Sequence, residues 1–269
     1  MRVHFLQQWF ALGDEATEDD LCDIPFCRAF AGIDPSATGT PDATTILRFR
    51  HLFERHDLAT ALVQEVNALL GGRGQMVRRG TRIDATPARA PSSTRNRIGT
   101  RGPEMHRTRK GNQWFFAMKA HIGVDADSGL VHKVVAMQAN VRDLVVAGSL
   151  LHADEVVVHG DTGCWGTARW CEMTGVVWML GMQPGKRCLP APAPAPGSAE
   201  AVAGSAEAVA ERAKASVRAN VEHPFRVIKR QVGHVKVRYR EGLEKNWSRL
   251  VTLFALSNIW MARCTLRAG

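Results

Sequence analysis

The sequence predicts a mixed α/β protein, in which an all-helical module over residues 1–72 precedes a mixed sheet with flanking helices over 73–269. Three observations carry this expectation. Apolar residues recur at helical spacing through the first 72 positions. Short β-rich runs separated by turn signals occupy residues 81–182. After a Pro- and Ala-rich interruption, helical spacing returns and closes the chain.

The elements follow in order. Residues 2–12 (Arg-Val-His-Phe-Leu-Gln-Gln-Trp-Phe-Ala-Leu) read as a buried helix with no leader or cap, which suggests that preceding sequence is missing. An acidic turn follows over 14–23, then a short apolar helix around Ile24 to Ile33. Thr40-Pro41-Asp42 reads as a helix start, with Thr40 as N-cap and Pro41 at the first helical position. It leads into Ile46, Phe49, Leu52 and Phe53 at helical spacing. Asp57 opens a second helix through Leu58, Leu62, Val66, Leu69 and Leu70, which Gly71-Gly72 stops. These stripes are most simply core, and helix-turn-helix DNA binding stays open for the module.

The stretch from Thr81 reads as a short strand ending at Asp84, followed by a long basic loop to residue 112. Trp114 to Asp125 and Leu130 to Gln138 form a hairpin about the turn Asp127-Ser128-Gly129. Asp143 to Leu151 fits a helix, with Asn140 and Asp143 as capping residues. Glu155 to Asp161 fits a buried strand ending on an acid, a helix follows through Ala168 and Cys171, and Val176 to Met182 fits another strand. Residues 190–210 form a low-complexity linker: alternating Pro and Ala, then Gly-Ser-Ala-Glu-Ala-Val-Ala twice in tandem. A helix from about Asn246 to Cys264 ends the chain, its Leu250, Leu253, Phe254, Ile259 and Trp260 facing the core.

With 269 residues and 45% hydrophobic content the chain can bury a sizeable core. Its net charge of +9 suits a polyanionic partner. The distribution is more informative: Arg73 to Lys110 holds 11 Lys or Arg against Asp84 and Glu104. That segment suits a phosphate backbone, or a disordered arm that waits for one. None of the six cysteines forms a C-x2-C pair, which argues against zinc and for free thiols in a reducing cytoplasm. No signal peptide is evident, and the most apolar run, Leu250 to Ala262, is too short to span a bilayer.

Residues 214–240 hold a single carboxylate, Glu222, among eight Lys or Arg. On a helix, Arg218, Glu222, Arg226 and Lys229 would share one broad face. Either this is a solvated ion-pair face, or Glu222 is a metal-binding acid in a surface that grips phosphates, with Arg218, Arg226, Lys229 and Arg230 as the contacts. Asp84 and Asp161, each expected at a strand end, supply partners. Any one of these acids alone reads as a turn or cap residue. Three together can hold one or two Mg2+ ions about 3.5–4 Å apart, suited to in-line attack on a phosphodiester. Pro224 is expected to kink or restart the helix. His121 and His132 read as structural histidines, and His223 could touch DNA. Trp114 and Phe115 read as strand core or as a platform for an unpaired base, Trp165 and Trp170 as packing.

Several segments carry a resemblance: Phe5-Leu-Gln-Gln-Trp-Phe, Pro41-Asp-Ala-Thr-Thr-Ile, Ile83-Asp-Ala-Thr, Gly111-Asn-Gln-Trp, Met118-Lys-Ala-His-Ile-Gly-Val-Asp, Gly160-Asp-Thr-Gly and Val221-Glu-His-Pro-Phe-Arg-Val-Ile-Lys. Together they resemble the DDE transposases of bacterial insertion sequences, in particular the group named after insertion sequence five. The resemblance implies a ribonuclease-H-like catalytic domain over 73–269 behind an amino-terminally truncated helical module. It also implies Asp84, Asp161 and Glu222 as catalytic, metal-binding acids that use Mg2+, or alternatively Mn2+. Its partners would be double-stranded DNA, both terminal inverted repeats and target, with a homodimer in synapsis, no membrane, and a nucleoid-associated cytoplasmic location. The family pattern Tyr-x2-Arg-x3-Glu-x6-Lys matches at Arg218, Glu222 and Lys229, with Ala215 in place of the tyrosine. Thr162-Gly163-Cys164 stands where the family commonly has Ala-Gly-Tyr. These departures leave a second reading, a catalytically decayed DNA-binding remnant, and a third, a simple metal-dependent nuclease.

Overall fold

A computed structural model describes residues 1–34, 39–92, 101–102, 104–110, 112–152, 154–160, 176–180, 222–237 and 242–268. The expected linker and tandem repeat (190–210), Asp161, Arg218 and the helix expected through Ala168 and Cys171 lie outside these residues.

The helical periodicity at the start of the chain produces α1 (Arg2–Trp9), α2 (Asp14–Asp23), α3 (Pro25–Ala31), α4 (Ala43–Arg55) and α5 (Leu58–Gly72). The acidic stretch expected as a turn is α2; carboxylates in its first turn suit the positive end of a helix. Asp42, not Thr40, caps α4. Its carboxylate accepts the Thr45 amide and the Thr44 hydroxyl, each at 2.8 Å. Those two bonds, Thr45 first, hold the Asp42 carboxyl down at about 2. Pro41 therefore stands outside the helix. α5 runs through both Gly71 and Gly72, and the chain turns at Gly74, whose φ of +68° is a left-handed value that suits glycine.

The helical part feeds two cores. Leu6, Leu21, Cys27 and Ile46 close a small one among α1 to α4. Phe53, Ala59, Val63, Val66 and Leu70 instead join the large core against the sheet.

The strands are β1 (Gly80–Arg89), β2 (His106–Lys110), β3 (Gln113–Asp125), β4 (Val131–Gln138), β5 (Val157–Gly160) and β6 (Val177–Leu180). They form one six-stranded sheet ordered β2-β3-β1-β5-β6, with β4 also on β3. β1 is antiparallel to β3 and parallel to β5, and β5 is parallel to β6, so the sheet is mixed. Ala117 pairs with both Arg89 of β1 and His106 of β2, so β2 and β4 follow one another along the edge of β3 opposite β1. The hairpin of β3 and β4 is the one expected from its turn residues.

Two expectations are corrected here. β1 spans ten residues rather than stopping at Asp84. The segment expected as a loop to residue 112 contains the end of β1 and all of β2. The sequence His-Arg-Thr-Arg-Lys of β2 has no apolar alternation, because an edge strand is held largely by its backbone pairing to β3.

Helices cover both faces of the sheet. One face packs Ile83 and Val158 against Val146, Ala147 and Leu150 of α6 (Asp143–Ala147) and the 3-10 turn after it. Here β3 carries Gly123, where a Cβ would meet the Leu150 carbonyl at 2.5 Å. α6 is not capped as expected: Arg142 is its N-cap residue and makes no side-chain cap bond, while Asp143 sits in the first turn and pairs with Lys119. The other face packs Ala88, Met118, Ala120, Ile122 and Val134 under α5, the helix at 222–231 and α7 (Leu243–Ala268). A buried amide cluster ties this layer together. Asn258 of α7 accepts the Val131 amide at 2.9 Å and donates to the Val131 carbonyl at 2.7 Å and to Asn67 of α5 at 3.0 Å. This mixed sheet with flanking helices is consistent with the ribonuclease-H-like fold.

Candidate functional site

Alternation along β1 sends Ile83, Ala85 and Pro87 to the α6 face and Arg82, Asp84, Thr86 and Ala88 to the opposite face. Asp84 is half-buried, and its carboxylate accepts the Ala85 amide at 2.7 Å. The parallel ladder to β5 ends at the pair Arg82–His159. Among the described residues β5 pairs no further along β1, so Asp84 lies two residues beyond the last pair of that ladder. β5 closes at Gly160, and Asp161 follows it by one peptide bond.

Arg82 is buried two residues before Asp84. Burial lowers the pKa of its guanidinium, while Asp127 and Asp125 oppose that shift. His159 opposite is held below its usual pKa by burial and by the charge of Arg82.

Glu222 begins the described part of the helix at 222–231 and is exposed, as are His223, Arg226 and Arg230. Phe225, Val227 and Ile228 are buried, with the Phe225 ring against Phe254 of α7 at 5.8 Å and 75°. Residues 222–226 are α-helical and Val227–Gln231 form a π-helical turn. A wider turn shifts the phase of every later side chain. Among the described members of the expected face, Glu222 and Arg226 remain in solvent, whereas Lys229 turns inward. Its ammonium donates to the hydroxyl of Thr86, two residues beyond Asp84 on β1, and lies 5.6 Å from the Phe225 ring. The chain then returns to β1: the Val237 amide donates to the Arg89 carbonyl at 2.9 Å, and Arg89 and Lys236 form a parallel bridge. The Glu222 helix is thus fastened to the strand and the face that carry Asp84.

Thr86, the residue that receives Lys229, gave no signal in the sequence, since an isolated threonine in a strand is unremarkable. Among the described residues no group of three or more His, Cys, Asp or Glu is arranged to hold a metal ion. His121 is fully buried opposite Ala85, with its ring 3.5 Å from Asp143, and burial holds its pKa at about 4. His132 shares a hydrogen bond of 3.0 Å with Thr81 and is likewise held at about 4 by burial. His132 is thus a hydrogen-bonded structural histidine, as expected, whereas His121 is buried with neither ring nitrogen hydrogen-bonded among the described residues. Trp114 is 67% exposed and so is not strand core. Among the described residues no helix is long and apolar enough to cross a membrane.

The "Transposase DDE domain" family model matches residues 75–259, and the "Transposase domain (DUF772)" model matches residues 1–52. The chain belongs to the DDE transposase family. No solved structure matches the chain significantly. The first match spans the whole sheet together with the Glu222 helix. Both matches are consistent with a transposase of insertion sequences, a family of DNA-cleaving and transesterifying enzymes that generally use divalent metal ions.

Proposed function

We propose that this DDE transposase binds the ends of an insertion sequence, cuts the DNA there and joins the freed 3′-hydroxyl to target DNA. The observation that carries the reading is the Lys229–Thr86 hydrogen bond. It fastens the helix of Glu222 to the strand of Asp84, and the third acid, Asp161, comes one residue after the strand paired to β1. In this reading Asp84, Asp161 and Glu222 are the catalytic acids, Arg218, Arg226 and Arg230 lie along the DNA, and Lys229, expected among those contacts, fastens the Glu222 helix to β1 instead. The helical module of 1–72 and the catalytic domain of 73–269 form the two domains. The protein acts as a homodimer on two DNA ends, in the nucleoid of the bacterial cytoplasm.

The donor set fits a hard cation. Asp84 and Glu222 are carboxylates, Mg2+ and Mn2+ favour oxygen ligands, and Mg2+ is usually held by only one or two carboxylates. Asp84, Asp161 and Glu222 would hold Mg2+, or Mn2+ in its place, which supplies charge stabilisation for in-line displacement at phosphorus when bound. The chain's own residues supply the rest. The Ala85 amide holds one oxygen of Asp84 by a hydrogen bond, which orients the carboxylate. Arg226 and Arg230, exposed on the helix that bears Glu222, are available to phosphate oxygens and position the DNA without reading its sequence.

The test is cleavage of a duplex carrying the element's terminal repeats, with and without Mg2+. Asp84→Asn, Asp161→Asn and Glu222→Gln should each abolish metal-dependent cleavage and leave a folded protein. Full activity in any of the three would overturn its assignment. Binding without cleavage by the unaltered chain would favour the decayed remnant, and cleavage without strand transfer the simple nuclease.

A further inference from the structure

We propose that the ribbon made by β2 and the first residues of β3 is a second phosphate-gripping surface, which docks duplex DNA on the same face of the sheet as Asp84. The proposal rests on the transposase reading in one respect only, that DNA is the substrate.

The pairing sets the geometry. Arg107 lies opposite Phe116 and Arg109 opposite Trp114. Residues directly opposite in an antiparallel pair project to one face, so two arginine–aromatic pairs stand on one side of the ribbon. Phe116 packs against the large core, as do Met118, Ala120 and Ile122 on the same face of β3. Ile122 lies opposite Asp84. Ribbon and acid therefore look the same way.

Exposure and charge then point to the partner. Arg107 and Arg109 are exposed, and Trp114 is 67% exposed. The Arg101 guanidinium lies 5.7 Å from the Phe116 ring, and Arg109 donates to Asn112 at the tip of the ribbon at 3.2 Å. Residues 85–124 contain eight Lys or Arg and one carboxylate, Glu104. That carboxylate is turned to the Leu243 amide at the start of α7. Basic residues on an edge strand are also an ordinary guard against unwanted strand pairing. That role leaves a solvent-exposed tryptophan opposite Arg109 unexplained, and a polyanion accounts for both.

Trp114 is eight residues along β3 from Ile122, about 27 Å at a strand's rise. At about 3.4 Å per base pair, this is about eight base pairs from a phosphodiester seated at Asp84. Contacts of this kind hold the backbone and position the duplex without selecting sequence.

The experiment uses the full chain in EDTA and a labelled duplex of arbitrary sequence, with binding followed by anisotropy between about 50 and about 300 mM NaCl. The double variant Arg107→Ser/Arg109→Ser should weaken binding at least about tenfold, and its plot of log affinity against log salt should be shallower by about 1.8. Addition of duplex should change tryptophan emission in the unaltered chain, and that change should be lost in Trp114→Phe. Both arginines are exposed, so circular dichroism and melting of the variant should match the parent. If its fold is disturbed, Arg107→Gln and Arg109→Gln taken singly should each lower the slope by about 0.9. Unchanged affinity and slope in folded variants would overturn the ribbon and leave the transposase reading intact. Failure of the unaltered chain to bind any duplex at low salt would overturn both. Tighter binding of a single strand than of the duplex would overturn the duplex assignment.

Discussion

The bond between Lys229 and Thr86 separates two roles for the lysine that make opposite predictions. As a phosphate contact, Lys229 would act on DNA and leave the isolated protein unaffected. As the fastener of the Glu222 helix, it would act on the protein first. Thr86 is buried and Lys229 half-buried, and its ammonium donates to a neutral hydroxyl. Hydrogen bonds to charged groups contribute about 1.5–3 kcal/mol net; with one partner in contact with solvent, the lower part of that range, about 1.5–2 kcal/mol, applies. Lys229→Met and Thr86→Val should each destabilise the protein by about that amount in urea denaturation. The double variant should cost little more than either single one, since both remove the same bond. If docking of the helix limits catalysis, cleavage should fall about 10- to 30-fold in both variants, at 1.36 kcal/mol per factor of ten. The result that refutes this reasoning is a harmless Thr86→Val together with a Lys229→Met that weakens DNA binding and makes its salt dependence shallower by about 0.9. Lys229 would then be a phosphate contact.

Two further outcomes follow from the interior. Asn258→Leu should destabilise the protein by about 3–5 kcal/mol in urea, because it strands the Val131 amide and carbonyl and the Asn67 amide oxygen, each costing about 1–3 kcal/mol when buried without a partner; a loss below about 1 kcal/mol would mean that water takes the place of the amide. Acid should destabilise the fold in a defined window. Burial lowers His4, His121, His132 and His234 from 6.5 to about 4. The unfolded chain therefore takes up protons first, and the stability contributed by these four groups, full above pH 6.5, is lost as pH falls from 6.5 towards 4. By pH 5.5 the linkage is worth on the order of 1 kcal/mol per histidine. A melting temperature independent of pH between 7 and 5 would contradict their burial as neutral rings.

The primary sequence determined the kinds of element and most of their order. Helical periodicity before residue 72, the turn residues of the β3–β4 hairpin and the apolar run of α7 are local signals, and local signals survive without tertiary context. Asp84, Asp161 and Glu222 read singly as turn, cap or surface acids and stood out as candidates only together; the family match spans all three positions. Tertiary structure decided what local pattern cannot encode. β1 outlasts Asp84 because β3 supplies backbone partners as far as Arg89. β2 is a strand despite a wholly polar sequence because its ladder to β3 does not depend on side-chain hydrophobicity. Asp42 rather than Thr40 caps α4 because its carboxylate is the one within reach of the Thr45 amide. Lys229 leaves the charged face of its helix because a π-helical turn changes the phase and Thr86, 143 positions away in the chain, offers an acceptor. The sequence could offer Asp84, Asp161 and Glu222 as candidates, but only packing across the sheet could bring the helix of Glu222 to the strand of Asp84.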